Sequence, residues 1–443
     1  LPGDYVVRAN NEQVRNRDEK LTWTVLFYDE HGTATRRFDG LSRMTSGWLD
    51  SFAEPLEASV FQVESEMPHV QMALQAMRAD GVAKVGVLHS SHLDYPHTFG
   101  SPLMPEHELV FDRLGCLDAF VVVTPEQRED ISREFGPRET LFAVPHDAPP
   151  ARGSIAADKD TLLAVGMGRF AERKNWPHVM RAWAQVTSAV PDATFELYGM
   201  GPLEDSYREL AEELGITGSF KIMGMTEDPS AVFSKAAFSV LTGIREAFGL
   251  VIVESMAQGT PVVSFDGKYG PRDIIRDGRD GRLIAYGDVD ALADAMISMF
   301  EDPERTLAMG VAALEVSERF SAEQCMSRWL AVYASALEQM DARVRLPKVV
   351  AEATSVTLAG EVFTVAGELV VEELANEVAV RLYARPRSTV RGSVYCDTDV
   401  VVLDDERLAF TARLPLDTFS AVPGVWDAYL SISLRNAHRF ARV

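Results

Sequence analysis

Two glutamates stand eight positions apart in Ile244-Arg-Glu246-Ala-Phe-Gly249-Leu-Val-Ile-Val-Glu254, across a predicted strand-to-helix junction. Gly249 lets the backbone pass close to a ligand. The first-turn N–H groups around Phe248, Gly249, Leu250 and Val251 point outward as donors. An anionic diphosphate is stabilised at such a place by the free donors and by the helix dipole together. Glu246, ahead of the helix, can accept hydrogen bonds from sugar hydroxyls. Glu254, about one and a half turns in, can bind a ribose diol. The plainer reading makes Glu246 a helix cap and Glu254 half of a surface pair, since acids are common where helices begin.

A second loop is cationic: Gly168-Arg169-Phe-Ala-Glu-Arg173-Lys174-Asn175. The chain has only 8 lysines among its 43 basic residues, so each lysine merits notice. Arg169 offers a planar fork to phosphate oxygens and Lys174 a compact cation, with Gly168 leaving room beside them. A solvated loop with ordinary surface charge is the alternative. The same stretch contains Gly166-Met-Gly168-Arg-Phe-Ala171, a form of the dinucleotide fingerprint. That motif needs its helix to start at once, whereas here charges and Pro177 intervene and no acid ends the next strand. The nicotinamide reading is set aside on that spacing.

His89, His92, Asp94 and His97 crowd one loop after the apolar run Val85-Gly-Val-Leu88. Zinc is conceivable, but ligands confined to one loop rarely close a tetrahedral site, and no second cluster completes it.

These loops need elements to hold them. Between about 146 and 319, short apolar runs alternate with helical stretches: strands over 162–165, 194–198, 219–223, 238–241 and 261–265, helices over 177–189, 203–214, 229–236, 249–258 and 289–300. That order predicts a parallel sheet covered on both faces, with ligands beyond the carboxyl ends of its strands. Upstream, Thr22–Tyr28 and Thr33–Phe38 read as a hairpin around Asp29–Gly32, followed by a helix over 67–79, strands over 83–88, 119–123 and 140–144, and a helix over 125–135. After Pro347, two-residue alternation over 378–383, 390–395, 409–414 and 426–434 predicts a small antiparallel β-sandwich.

The 443 residues are 47% hydrophobic and 25% charged, an ordinary globular balance. With 66 acidic against 43 basic residues, the net charge of −23 argues against nucleic acid and against general adhesion to anionic lipid. No run approaches the ~18–20 apolar residues of a membrane span. Three scattered cysteines, Cys116, Cys325 and Cys396, form no disulfide framework and fit a reducing cytosol.

Taken together, GRFAERKN, LYGMGPL and REAFGLVIVESMAQGTPVV resemble the nucleotide-sugar half of family 4 retaining glycosyltransferases of the GT-B fold. The family's signature, a Glu-x7-Glu pair with an upstream Arg and Lys for the diphosphate, is matched by Arg169, Lys174, Glu246 and Glu254. The following Phe265-Asp-Gly-Lys268-Tyr269-Gly270-Pro271-Arg-Asp273-Ile-Ile275 is similar to the motif of poly(glycerol-phosphate) α-glucosyltransferases and of glycosyltransferases that modify serine-rich proteins. FYDEHGTATRRF resembles the β-rich insertion of that subfamily. The resemblance spans roughly residues 20 to 340. In this family a histidine ending a first-lobe strand faces the donor sugar; His89 takes that place, with His92 competing.

The resemblance implies an α/β GT-B fold: a first Rossmann-like lobe with the β-rich insertion over 1–145, a nucleotide-sugar lobe and linking helix over 146–346, and the sandwich over 347–443. It implies a bacterial, cytoplasmic hexosyltransferase, extending to a peripheral position at the inner membrane face. The donor is a UDP-sugar, most often UDP-glucose or UDP-N-acetylglucosamine, and the acceptor a teichoic-acid-like polymer or a surface protein. His89 and Glu246 would hold the sugar and the 247–251 helix start would meet the diphosphate. No cofactor or metal is expected: Asp-x-Asp pairs, which hold a metal in the other large glycosyltransferase fold, occur at 158–160, 288–290 and 397–399, away from the expected cleft. Asp288 reads as a helix cap. His92, Arg36 and Arg37 are candidates for the acceptor, with Arg43 and, in the sandwich, Arg381, Arg385, Arg387 and Arg391; self-association into a homo-oligomer is the alternative use of the sandwich. GT-B enzymes open with a strand and a glycine-rich loop that do not precede Tyr28, and the first residue is Leu1, so the chain is expected to start inside a longer protein. A GT-B nucleotide-sugar epimerase and a non-catalytic subunit are the competing functions.

Overall fold

The computed structural model describes residues 59–64, 68–77, 81–111, 113–153, 155, 159–342, 349–371, 379–386, 394–404, 406–415, 426–434 and 437–442, and short stretches at 6–8, 14–15, 21–22, 24–28, 34–39, 45–47 and 49. The chain divides into two compact units, one of residues 1–87, 103–120 and 332–443, the other of 88–102 and 121–331.

In the first unit, Ser59–Val63 and Val82–Leu88 pair in parallel beside the helix Pro68–Ala76. Every residue of Val82–Leu88 is buried, as a strand of a covered parallel sheet is; Lys84 is the one charge among them, and its Nζ donates to the Met77 carbonyl at 2.6 Å. The predicted hairpin is present as Thr24–Tyr28 against Ala34–Asp39, and Val6–Arg8 adds a third antiparallel strand. Its turn, Asp29–Gly32, lies outside the described residues, as does Arg43.

The same unit carries the all-β region. Seven antiparallel strands neighbour one another in the order Val349–Ala359, Val362–Val371, Arg407–Pro415, Val394–Val402, Ala379–Pro386, Trp426–Leu434, Ala437–Arg442. Alternate residues Leu408, Phe410, Ala412 and Leu414 face inward onto Val365, Leu369, Leu382 and Leu430, and the first and last strands approach each other, so the strands wrap a core of their own. Two-residue alternation marked Ala379–Pro386, Arg407–Pro415 and Trp426–Leu434, met Val394–Val402 only at its first two residues, and did not mark Ala437–Arg442. Val349–Ala359 and Val362–Val371 escaped because the outer half of their hairpin is exposed on both faces and has no alternation to detect.

The second unit is the doubly wound one. Strands β1 (Asp160–Met167), β2 (Thr194–Tyr198), β3 (Phe220–Gly224), β4 (Ala236–Leu241), β5 (Val262–Phe265) and β6 (Gly281–Ile284) form one parallel sheet in the order β3-β2-β1-β4-β5-β6. The order reverses between β1 and β4, and ligands of such sheets bind outside that switch point. Among the helices are α1 (Pro125–Phe135), α2 (Trp176–Ala189) and α3 (Leu250–Ala257). Helix α2 buries Trp176, Val179, Met180, Trp183 and Val186 on one stripe, against Phe195 and Phe238 of the sheet and Phe300. Each such aromatic contributes about 2–3 kcal/mol on leaving water. Aspartates close the helix starts as expected: Asp288 accepts from Ala291 N–H at 2.9 Å, and Asp228 and Asp302 do the same for their own helices.

Candidate active site

Lys174 and Glu246 reach the same point by different routes. After β1 the chain does not enter a helix at once. It makes a 3-10 turn over Glu172–Lys174, takes Asn175 through the left-handed region at φ 56°, and only then starts α2. The spacing that set aside a dinucleotide site is thus a real delay in the helix. This loop is tied to the end of β4: Ile244 N–H donates to the Arg173 carbonyl at 2.8 Å, and Thr242 Oγ1 to the Lys174 carbonyl at 3.3 Å. The two loops therefore meet beyond the carboxyl ends of the strands, where Lys174 Nζ donates to Glu246 Oε1 at 2.5 Å. Both side chains are mostly covered, at 15% and 14% exposure.

Helix α3 begins just beyond. Gly249 caps it at φ 94°, a left-handed conformation that a Cβ would strain. Ala247, Phe248, Gly249, Leu250 and Val251 line an open pocket of about 370 Å³ together with Lys174, Glu246, Leu241, His89 and His146. One pocket thus gathers two histidines, a carboxylate, a cation and the N-terminus of an eight-residue helix.

His146 was not singled out by motif. Its Nε2 lies 3.3 Å from His89 Nδ1, the rings stack at 5.2 Å, and its edge meets Phe248 at 5.4 Å. A signal existed, since His146 stands a few residues past the predicted strand over 140–144, at the end where ligands bind.

Arg169 lies elsewhere. It is exposed, and with Met167, Gly168, Tyr198, Gly199, Met200, Met225 and Thr226 it lines a separate, mostly apolar pocket of about 620 Å³. Lys174 lines the one pocket and Arg169 the other, and Gly168 stands between them: a Cβ on Gly168 would lie 3.6 Å from Lys174 Cε. Tyr198 and Met200 lie in the LYGMGPL motif and Met167 at the end of β1, but that they line one space with Met225 follows only from the sheet, which sets the ends of three strands side by side.

Glu254 sits in α3, lines neither pocket, and has its carboxyl pKa raised by burial. His92 is fully buried and stacks on Tyr269 at 5.7 Å, with planes 8° apart. That packing corrects its candidacy for the acceptor, because a sealed ring presents nothing to a polymer, and it leaves His89 as the histidine of that strand end in the pocket. Arg36 and Arg37 stand in the strand Ala34–Asp39, and their side chains lie outside the described residues, as do Arg387 and Arg391. Arg381 pairs in register with Asp397 and Ser431. Of the Asp-x-Asp pairs, Asp288 is a cap, Asp290 accepts from Gln185 at 2.8 Å, Asp160 accepts from Leu162 N–H at 2.9 Å, and Asp399 pairs with Arg413; Asp158 is outside the described residues. No helix among the described residues is long and apolar enough to cross a membrane.

Residues 147–316 match the family model described as glycosyl transferases group 1. A poly(glycerol-phosphate) alpha-glucosyltransferase of Bacillus subtilis (strain 168) is 25% identical over 336 residues, which cover 75% of this chain and 48% of that protein. A poly(ribitol-phosphate) alpha-N-acetylglucosaminyltransferase of Staphylococcus aureus (strain COL) is 26% identical over 259 residues, covering 57% and 51%. The chain spans about half the length of these curated relatives. Among solved structures, Staphylococcus aureus TarM, as a mutant in complex with fondaparinux, alpha-GlcNAc-glycerol and UDP, superposes with TM-score 0.63 at 21% identity, covering 72% of this chain and 68% of that one. The pneumococcal O-GlcNAc transferase GtfA, in complex with UDP and GlcNAc, does so with TM-score 0.59 at 18% identity, covering 75% and 70%. The fold is GT-B with an added antiparallel region, and the resemblance of the motifs to poly(glycerol-phosphate) glucosyltransferases holds over most of the chain.

Proposed function

We propose that this chain, whose 147–316 segment matches glycosyl transferases group 1, moves a hexose from a UDP-sugar to a hydroxyl of a teichoic-acid-like cell-wall polymer or of a surface protein, with retention at the anomeric carbon. The observation that carries the reading is the pocket in which Lys174, Glu246 and His89 meet the start of α3. As the bond from sugar to diphosphate breaks, negative charge grows on the leaving phosphate. Donors already in place offset that charge without reorganising, which lowers the barrier. The α3 N–H groups and Lys174 fill this role, and Arg169 adds a cation beside the neighbouring pocket. Glu246 and His89 are assigned to the sugar, and Glu254 to the ribose. The apolar pocket beside Gly168 suits a planar base, with methionine and Tyr198 surfaces to stack on it.

No nucleophile is assigned; front-face displacement, in which the acceptor enters on the side the diphosphate leaves, is the proposed route to retention. The site's fixed cations do the charge stabilisation, so the reaction is proposed to need no metal, and a cytoplasmic location is proposed because that is where nucleotide sugars would reach it. The acceptor class rests on the names of the relatives and on the Lys268–Ile275 motif. The test is mass spectrometry of products from a panel of UDP-sugars, each with and without glycerol-phosphate polymer, ribitol-phosphate polymer or a serine-rich peptide. A hexose added to one acceptor supports the reading. Donor conversion that ignores every acceptor would favour an epimerase.

A further inference from the structure

The segment after β5, Asp266-Gly-Lys268-Tyr269-Gly270-Pro-Arg272-Asp273, contributes nothing to the lining of either pocket, yet it grips the candidate site from two directions. Toward α3 it binds the Glu246 peptide on both sides. Glu246 N–H donates to the Lys268 carbonyl at 3.3 Å, and the Glu246 carbonyl accepts from Tyr269 N–H at 2.7 Å and Gly270 N–H at 3.1 Å. The approach is so close that a Cβ on Gly270 would lie 1.6 Å from the Phe248 carbonyl oxygen.

Toward the His89 loop it uses side chains. The buried Tyr269 ring stacks on His92, three residues past His89. Gln127 on α1 completes this contact, its Nε2 lying 3.4 Å from His92 Nδ1 and donating to the Ser90 carbonyl at 2.9 Å. Lys268 then fastens the segment to α1 itself, donating to Glu126 Oε1 at 3.0 Å and to Asp130 Oδ2, and lying 5.0 Å over the Tyr269 ring. Lys268 is 18% exposed and Asp130 3%. A pair so covered holds its geometry firmly, because separating it would leave a charge out of water with no partner.

We propose that Lys268 and Tyr269 are positioning residues that fix Glu246 at a set distance from His89, Lys268 by anchoring the segment on Asp130 and Glu126, Tyr269 by bridging His92 to the Glu246 backbone. Neither touches the donor. Their effect falls on the sugar's reacting geometry, where a displacement of about 1 Å costs on the order of 100-fold in rate. The proposal rests on the reading of Glu246 and His89 as sugar contacts.

The test compares wild type, Lys268→Met, Lys268→Arg, Asp130→Asn, the Lys268→Met/Asp130→Asn double variant and Tyr269→Leu in the full chain. Calorimetry gives the affinity for UDP; steady-state kinetics with the preferred UDP-sugar gives kcat and KM. Lys268→Met, Asp130→Asn and Tyr269→Leu should each lower kcat at least tenfold and leave UDP affinity within about twofold. The double variant should be no slower than the worse single one, and Lys268→Arg should recover most of the rate. Unchanged kcat in Lys268→Met would overturn the proposal, and so would multiplicative losses in the double variant or a UDP affinity that falls in step with kcat. Glu246→Gln separates the two readings. If it turns over normally, or if wild type does not bind UDP, the assignment of the sugar site fails and this inference with it. If it is slow while Lys268→Met is not, only the positioning role fails.

Discussion

Lys174 Nζ and Glu246 Oε1 stand 2.5 Å apart although 72 positions separate them in the chain. With that ion pair formed, the lysine's charge is shared with a carboxylate before any ligand arrives. A diphosphate at the start of α3 must compete with Glu246 for it. Replacing the glutamate by glutamine removes the competitor, so Glu246→Gln should bind UDP as tightly as wild type or more so, while turnover falls. Lys174→Ala should weaken UDP binding about 10- to 100-fold, the equivalent of a charge-assisted hydrogen bond worth about 1.5–3 kcal/mol. Calorimetry on both variants checks this; equal UDP affinities in the two would contradict the division of roles.

Arg169 is exposed beside its pocket, so its contribution should be smaller and more easily screened. UDP should raise the melting temperature of wild type through mass action, and Arg169→Ala should reduce that shift at low salt. At about 1 M salt the difference between wild type and variant should largely vanish. A shift that responds identically to salt in both proteins speaks against any role for this side chain.

Gly249 holds φ 94°, and a Cβ there would lie 3.0 Å from Ile252 Cδ1. Gly249→Ala should therefore destabilise the protein by about 1–2 kcal/mol from the left-handed backbone alone. It should also tilt the first N–H groups of α3 and reduce UDP affinity. Thermal unfolding with and without UDP measures both; an unaltered melting temperature would show that the cap relaxes freely.

Asp273 has its pKa pushed up to about 6 from the ordinary 3.8, first by burial and further by the nearby acids Glu126 and Glu129. Its Oδ2 is buried with no hydrogen-bond partner. A raised carboxyl pKa means that the folded state binds the proton more tightly than the unfolded one. The stability linked to that proton is complete below about pH 3.8 and is lost as pH rises through about 6. Asp273→Asn should accordingly raise the melting temperature at pH 7.5 by about 1–3 °C and change it little near pH 4. An equal effect at both values would mean that the carboxyl is not ionising in this range.

Fixed cations and helix N–H groups are assigned the task of offsetting the leaving group's charge. Transfer should then proceed at an undiminished rate after exhaustive treatment with EDTA. Restoration of a lost rate by one divalent ion would require a different charge partner.

The pair Glu246 and Glu254, the delayed helix after Gly168 and the alternation of β1 to β5 with helices were all legible in the sequence, because each is a matter of short-range spacing. A helix period, a cap or a motif is written over at most a dozen consecutive residues, and residues 147–316 carry enough of them to fix the lobe. What the linear order does not record is which loops the sheet brings together. The order β3-β2-β1-β4-β5-β6 places the loops after β1 and β4 side by side, and that adjacency joins Lys174 to Glu246. His146 joins the pocket, and His92 is sealed under Tyr269, for the same reason: exposure depends on which surface packs across from a residue, and that surface comes from a distant stretch of chain. Residue type sets what a side chain can do, whereas its pocket, partner and access to water follow from the packing.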